Sequence, residues 1–287
     1  MFEHRVTDWF WRFQCRLAGQ QERAVESLVI PCTGAKYVEE GILAANFAAR
    51  NLPEVKEIIL ATDQPGSAFS GLPDRAIVKT CPHRVTCPRD FEAIWQSRII
   101  KIQAPLLARY EVVMLMDSDM NLLRDFRVQI LPGAILGSFR KGKMVSKLKN
   151  FGGEIPEMKD TRRVYYKTHL NSAFLVAHRE TWAKLIEQWL KLYESIWNTI
   201  PSGPPPTDQL PLCIALDRLG LKTVDLGPWV NWPVSKKIGG RPGRIPSEVI
   251  GAHGGFPLEE WEIYLKDPGA ELSFHGQDYT RKERYKG

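Results

Sequence analysis

The chain has 287 residues, of which 44% are apolar and 25% charged, enough for one large domain or two small ones with a sizeable core. That balance excludes a disordered chain, and five cysteines without a short sequence period exclude disulfide-scaffold, collagen-like and coiled-coil architectures. Lys and Arg outnumber Asp and Glu by 39 to 33, giving a pI near 9.0. The excess favours an anionic partner: nucleic acid, an anionic membrane surface or a phosphorylated small molecule.

At the N-terminus, Phe2, Val6, Trp9, Phe13 and Leu17 recur at helical spacing among Arg5, Arg12, Arg16 and Arg23. Residues 1–25 therefore read as a basic amphipathic helix, which either packs on the domain or lies on an anionic membrane. Arg12, Gln14 and Arg16 interrupt its apolar residues, so it is not a secretory signal. The apolar run Val112 to Met116 is far short of the about 20 residues that span a bilayer. With an odd number of cysteines, these features predict a reducing, cytoplasmic location compatible with membrane association.

Ser27 to Cys32 is a short continuous apolar run, as in a strand buried on both faces. A helix is predicted over Tyr37 to Arg50, then strands over Lys56 to Ala61 and Ala76 to Lys79. Cys81, His83 and Cys87 lie close together but lack a second ligand cluster, which argues against zinc. Phe91 to Arg109 reads as a helix interrupted near Pro105, and Glu111 to Met116 as another buried strand. This alternation means βαβ units and a mostly parallel sheet. Beyond it, Gly137 to Asn150 reads as a basic mobile loop and Ala173 to Val176 as a short strand. Helices are predicted over Thr181 to Trp197 and, after the Pro-rich break Pro201 to Pro206, over Thr207 to Leu219. The C-terminal third, rich in Gly, Pro and Trp, reads as loop-dominated. Residues 26–287 are thus one α/β domain with helices on a parallel sheet and an irregular C-terminal part.

Asp117-Ser118-Asp119 follows the strand EVVMLM directly. In an open parallel sheet, ligands bind at the carboxyl ends of the strands. Two carboxylates one residue apart at a strand end carry a large desolvation cost unless paired, and a divalent cation supplies the pairing. Their hard oxygens suit Mg2+ or Mn2+, with phosphate oxygens completing the shell. His253, in Gly251-Ala252-His253-Gly254-Gly255, is a borderline ligand better matched to Mn2+; by itself it reads as an idle loop histidine in a flexible glycine run. Asp208 by itself reads as a helix cap, and Asn171 as a polar residue at the start of a strand.

Taken in order along the chain, these segments resemble the GT-A nucleotide-sugar glycosyltransferases. The similarity is greatest to the family-8 group that includes glycogenin and bacterial lipopolysaccharide galactosyl- and glucosyltransferases. PCTGAKYVEEG (Pro31 to Gly41) is similar to the family's first strand and nucleotide loop. KIQAPLLARYEVVMLMD (Lys101 to Asp117) resembles the helix and strand leading into D-x-D. His169 to Phe174, Thr207-Asp208-Gln209, Trp229 to Pro233 and Gly251 to Gly254 resemble, in turn, the F-N, D-Q, W/F-N and H-x-x-G blocks. Two of them depart from the pattern. Asn171 is followed by Ser-Ala rather than a glycine, and the Lys-Pro-Trp that follows the histidine in the family is replaced by Phe256-Pro257-Leu258. Another cation must then grip the diphosphate, with Lys236, Lys237, Arg241 and Arg244 as candidates.

The resemblance implies a Rossmann-like GT-A fold and transfer of a sugar from a nucleoside diphosphate sugar, by the family's habit a UDP-sugar, to a glycan or other hydroxyl acceptor. It implies Asp117, Asp119 and His253 as ligands to Mn2+ or Mg2+. Thr33, Tyr37, Asp63, Lys101 and Ser118 become donor contacts. Asn171, Asp208 and Gln209 act beside the transferred sugar. The family retains configuration; were the enzyme inverting, Asp208 would be the base. Two readings compete. A sugar-nucleotide nucleotidyltransferase normally carries a Gly-rich basic loop, whereas SLVIPCTGAKY has one Gly and one Lys. A non-catalytic basic protein on nucleic acid or membrane would also use the charge, but no helix-turn-helix, RNP or zinc-finger pattern supports nucleic acid.

Overall fold

A computed structural model describes residues 5–81, 91–141, 155–159, 161–166, 168–199, 207–234, 245–254 and 258–268. In chain order its strands are β1 (Arg5–Thr7), β2 (Arg23–Ala24), β3 (Ser27–Cys32), β4 (Glu57–Thr62), β5 (Ala76–Thr80), β6 (Val112–Met116), β7 (Met120–Leu122), β8 (Arg127–Val128), β9 (Ala134–Lys141), β10 (Thr168–His178), β11 (Lys222–Asp225), β12 (Trp232–Pro233) and β13 (Gly251–His253). The α-helices are α1 (Asp8–Leu17), α2 (Val38–Asn51), α3 (Glu92–Gln103), α4 (Arg179–Thr199), α5 (Gln209–Arg218) and α6 (Leu258–Lys266).

Eight strands form one sheet in the order β1-β11-β9-β10-β6-β3-β4-β5. β10 alone runs against its neighbours β9 and β6; all other pairings in the sheet are parallel. Every residue of β3, β4 and β6 is buried, as expected where helices cover both faces. Alternation divides their side chains between two cores. Val29, Val113 and Leu115 face α3, α4 and α5, while Leu28, Ile30, Met114 and Met116 face α1 and α2. α6 packs outside α2 through Phe47 and Trp261.

The chain winds from β3 through β4 to β5, then returns to place β6 on the other side of β3. Such a switch point opens a crevice at the carboxyl ends of the two strands. The β3–β6 ladder stops at Val29↔Leu115. Pro31, which lacks an N–H, therefore lies past the β6 pairing and interrupts none of it.

Several expectations need correction. The N-terminal helix begins at Asp8, because Arg5–Thr7 adds an edge strand alongside β11. The helix docks on the domain through buried Trp11 and Cys15, and the Trp11 Nε1–H donates to the Gln129 carbonyl at 2.6 Å. Gly137 to Lys141, expected to begin a loop, is the second half of β9; Lys143, Lys147 and Lys149 lie outside the described residues. The short strand at Ala173 is part of an eleven-residue antiparallel strand. Polar residues at its centre hid it, and they sit in a register shift between Leu170 and Leu175. Gly137 stands opposite the shift, where a Cβ would lie 2.5 Å from the Phe174 carbonyl oxygen. His83 and Cys87 are outside the described residues, and the four described cysteines are free. Among the described residues no helix is long and apolar enough to cross a membrane.

The end of the sheet opposite the crevice is stapled by ions. Glu57 is buried on β4; it accepts from Ser27 Oγ at 2.7 Å, from the Arg109 N–H at 2.7 Å and from Arg109 Nε at 2.7 Å. Burial alone would raise its carboxyl, but these donors and the Arg109 charge hold it below the usual range.

Candidate metal site

Asp117 and Asp119 leave the carboxyl end of β6 in a turn closed by the Met120 N–H on the Asp117 carbonyl. The chain then forms β7, which pairs antiparallel with β13 and sets His253 opposite Met120. Gly254, at φ 65°, donates its N–H to the Asp119 carbonyl at 2.7 Å. Three ligand atoms, one each from Asp117, Asp119 and His253, thereby lie within 4.8 Å of one another. Among the described residues this is the one group of three metal-type ligands so placed. His253 is thus held on a strand ladder and is not in a flexible glycine run.

Two carboxylates and an imidazole are a donor set that suits Mn2+, and the histidine ring is fixed by a second partner. Its Nδ1 donates to Asn231 Oδ1 at 2.9 Å, turning Nε2 toward Asp119 Oδ1 at 3.2 Å. Fixing one ring nitrogen with a second partner is how ligating imidazoles are held. Burial would lower the His253 pKa, but Asp119, and then Asp117, raise it above the ordinary value, while Arg140 opposes them. A proton or a cation therefore stabilises this group of acids.

Beneath the cluster lies Lys101, buried on α3. Its ammonium is 2.6 Å from Asp117 Oδ1, 3.1 Å from Asp208 Oδ2 and 3.3 Å from Ser172 Oγ. Burial alone would lower its pKa, yet Asp117 and Asp208 keep it above the usual lysine value. Asp208 occupies the N-cap position of α5 without a side-chain cap bond; its carboxylate turns to Lys101 instead. Burial would raise that carboxyl, but Lys101, and then Arg98 at 3.8 Å, hold it well below the ordinary carboxylate range.

β10 delivers the remaining polar groups. Its pairing with β6 ends at Phe174↔Met116, so Asn171 to Ala173 run on over Asp117, whose N–H donates to the Ala173 carbonyl at 2.9 Å. Gln209 holds this stretch: its Oε1 accepts the Ser172 N–H at 3.0 Å, and its Nε2 donates to the Leu170 carbonyl. Asn171 is buried and accepts weakly from the Ala173 N–H, while its Nδ2 has no partner. A buried amide donor left unmatched in a polar site is a place for a ligand oxygen.

Lys101, Asp117, Asp119, Asp208 and His253 are therefore drawn together, Gln209 holds the adjoining Ser172 N–H, and Asn171 lies next to Ser172 on β10, with Ser118 buried at the turn. Thr33, Tyr37 and Asp63 form a second group at the ends of β3 and β4. There Asp63 Oδ1 accepts the Gly34 N–H at 2.8 Å and Gln64 Nε2 at 2.9 Å, so its first role is to hold the Gly34 turn, whose φ is 85°. Lys236, Lys237, Arg241 and Arg244 lie outside the described residues. Sequence reasoning missed Arg98, although it stands one turn before Lys101 on the same helix, and it assigned no role to Asn231. The influence of Arg140 on His253 had no local signal, since the two residues are far apart in sequence and come within electrostatic reach only in the fold. No protein-family model matches the chain, and no curated protein matches it significantly in sequence.

Proposed function

We propose that this chain is a metal-dependent glycosyltransferase of the GT-A type, transferring a sugar from a nucleoside diphosphate sugar, in first place a UDP-sugar, to a hydroxyl acceptor. The observation that carries the reading is the convergence of Asp117, Asp119 and His253 at the carboxyl end of β6, beside a buried lysine and an unmatched amide donor. The eight-stranded, mostly parallel sheet with helices on both faces is compatible with it.

In this reading Asp117, Asp119 and His253 hold Mn2+ or Mg2+, which when bound supplies Lewis-acid neutralisation of the diphosphate leaving group. The protein's own residues do the rest. Asn231 fixes the His253 ring. Lys101 sets Asp117 and Asp208 at fixed positions, so that little reorganisation is needed as charge shifts toward the leaving phosphate. Besides Lys101, Arg98 and Arg140 are described cations that act on this cluster; they stand in for the lysine that the family carries after its histidine. Asn171 offers its Nδ2–H to a sugar oxygen, and Gln209 positions the strand that carries it.

Asp208 is poorly suited to be a general base. A carboxylate paired with Lys101 and held below its usual pKa has little proton affinity near neutrality. This favours retention, with the departing phosphate receiving the acceptor's proton, over inversion through Asp208.

The test is thermal shift with UDP in the presence and absence of Mn2+, followed by hydrolysis of a panel of UDP- and GDP-sugars. Metal-dependent stabilisation by UDP that disappears in Asp119→Asn is the expected result. If no nucleoside diphosphate shifts the wild-type protein under any metal condition, the reading is wrong.

A further inference from the structure

Helix α1 has two apolar faces where docking requires one. Trp11 and Cys15 are buried in the core. On the other side, Phe10, Phe13 and Leu17 are 44%, 49% and 74% exposed. At about 100° per residue, these three fall within an arc of roughly 60° pointing away from the buried pair. Single exposed apolar residues are ordinary, but three on successive turns of one helix form a stripe.

The net charge beside the stripe is positive. Arg16 is exposed in the last turn and makes no ion pair among the described residues. Lys222 is exposed at the start of β11, the strand against which α1 packs. Arg12 on the flank is matched by Glu22 at 2.7 Å, so the net excess is carried by Arg16 and Lys222. β1 adds to the edge of the sheet through β11, and α1 follows β1 directly. The stripe is therefore fixed to the rigid sheet edge.

We propose that this face of α1 is a docking surface for an anionic lipid membrane, entered by Phe10, Phe13 and Leu17 and steered by Arg16 and Lys222. Apolar side chains at headgroup depth with basic residues on the flank are what an interfacial helix presents. A second copy of the chain would bring Arg16 and Lys222 against their own equivalents, which disfavours self-association through this face.

The experiment is co-sedimentation of the full chain with vesicles of phosphatidylcholine alone or with about one third phosphatidylserine. Binding to the anionic vesicles only is expected, reduced about tenfold by the double substitution F10S/L17S and about fivefold by R16E. Melting temperature and metal-dependent nucleotide binding of these variants check that the fold is intact; none of the three residues belongs to the metal site. Failure of wild-type protein to bind anionic vesicles overturns the proposal. So does binding that survives F10S/L17S, and so does a dimer in solution that the same substitution dissociates.

Discussion

The two ends of the central sheet both gather charge, and they do so differently. At the end away from the crevice, Glu57 meets Ser27, the Arg109 N–H and the Arg109 side chain, and Glu26 meets Lys56 and Arg23. Each acid has its donors at hand. At the other end, Lys101 is shared between Asp117 and Asp208, Asp119 faces a histidine, and Asn171 Nδ2 has no partner. A saturated cluster holds strands together, whereas an unsaturated one costs stability that a ligand can return. That contrast separates a structural charge cluster from a candidate site without appeal to conservation.

Breaking the shared cation has the largest expected effect. Lys101→Met leaves Asp117 and Asp208 facing each other at a buried position and lowers stability by about 3–5 kcal/mol in urea titration; K101M/D208N recovers part of the loss. Next comes Asp119→Asn, which weakens Mn2+-dependent UDP binding about 100-fold or more by calorimetry while barely changing the melting temperature of metal-free protein. That pairing of large binding loss with small stability loss is the signature of the unsaturated end.

The saturated end is expected to behave the opposite way. Glu57→Gln sets an amide N–H against a donor and costs about 2 kcal/mol, with UDP binding unchanged. Because the folded-state pKa of Glu57 is depressed, its contribution is complete above its unfolded value of about 4.3 and is lost as pH falls through the lower folded value. The acid limb of the stability curve, measured by urea titration against pH, is therefore flatter in E57Q. The smallest effect sharpens the comparison within the site: Asn231→Ala frees the His253 ring and weakens Mn2+ binding about tenfold at nearly constant stability.

How far the sequence could be read depended on the element. β3, β4 and β6 were legible almost to the residue, because a strand buried on both faces must be continuously apolar. β10 was not, since its first half carries His169, Asn171 and Ser172 in place of apolar residues and its length comes from partners on both sides. α1 was legible as amphipathic, but its start was obscured by Val6, which belongs to a strand.

For the site, the local segment Asp117-Ser118-Asp119 and its place after a buried strand were written in the chain. That His253 meets Asp119 was anticipated through a resemblance of ordered motifs; physically it is decided by the β7–β13 ladder and Gly254. The sequence by itself determined which residues carry oxygen and nitrogen donors and which strands lie inside, since both are properties of residue type and short-range pattern. Only the tertiary structure decided that Lys101 is shared by two acids, that Arg98 and Arg140 stand beside the cluster, and that α1 buries Trp11 while exposing Phe10 and Leu17. Those are contacts between elements distant in sequence, and their energies depend on burial that no local window contains.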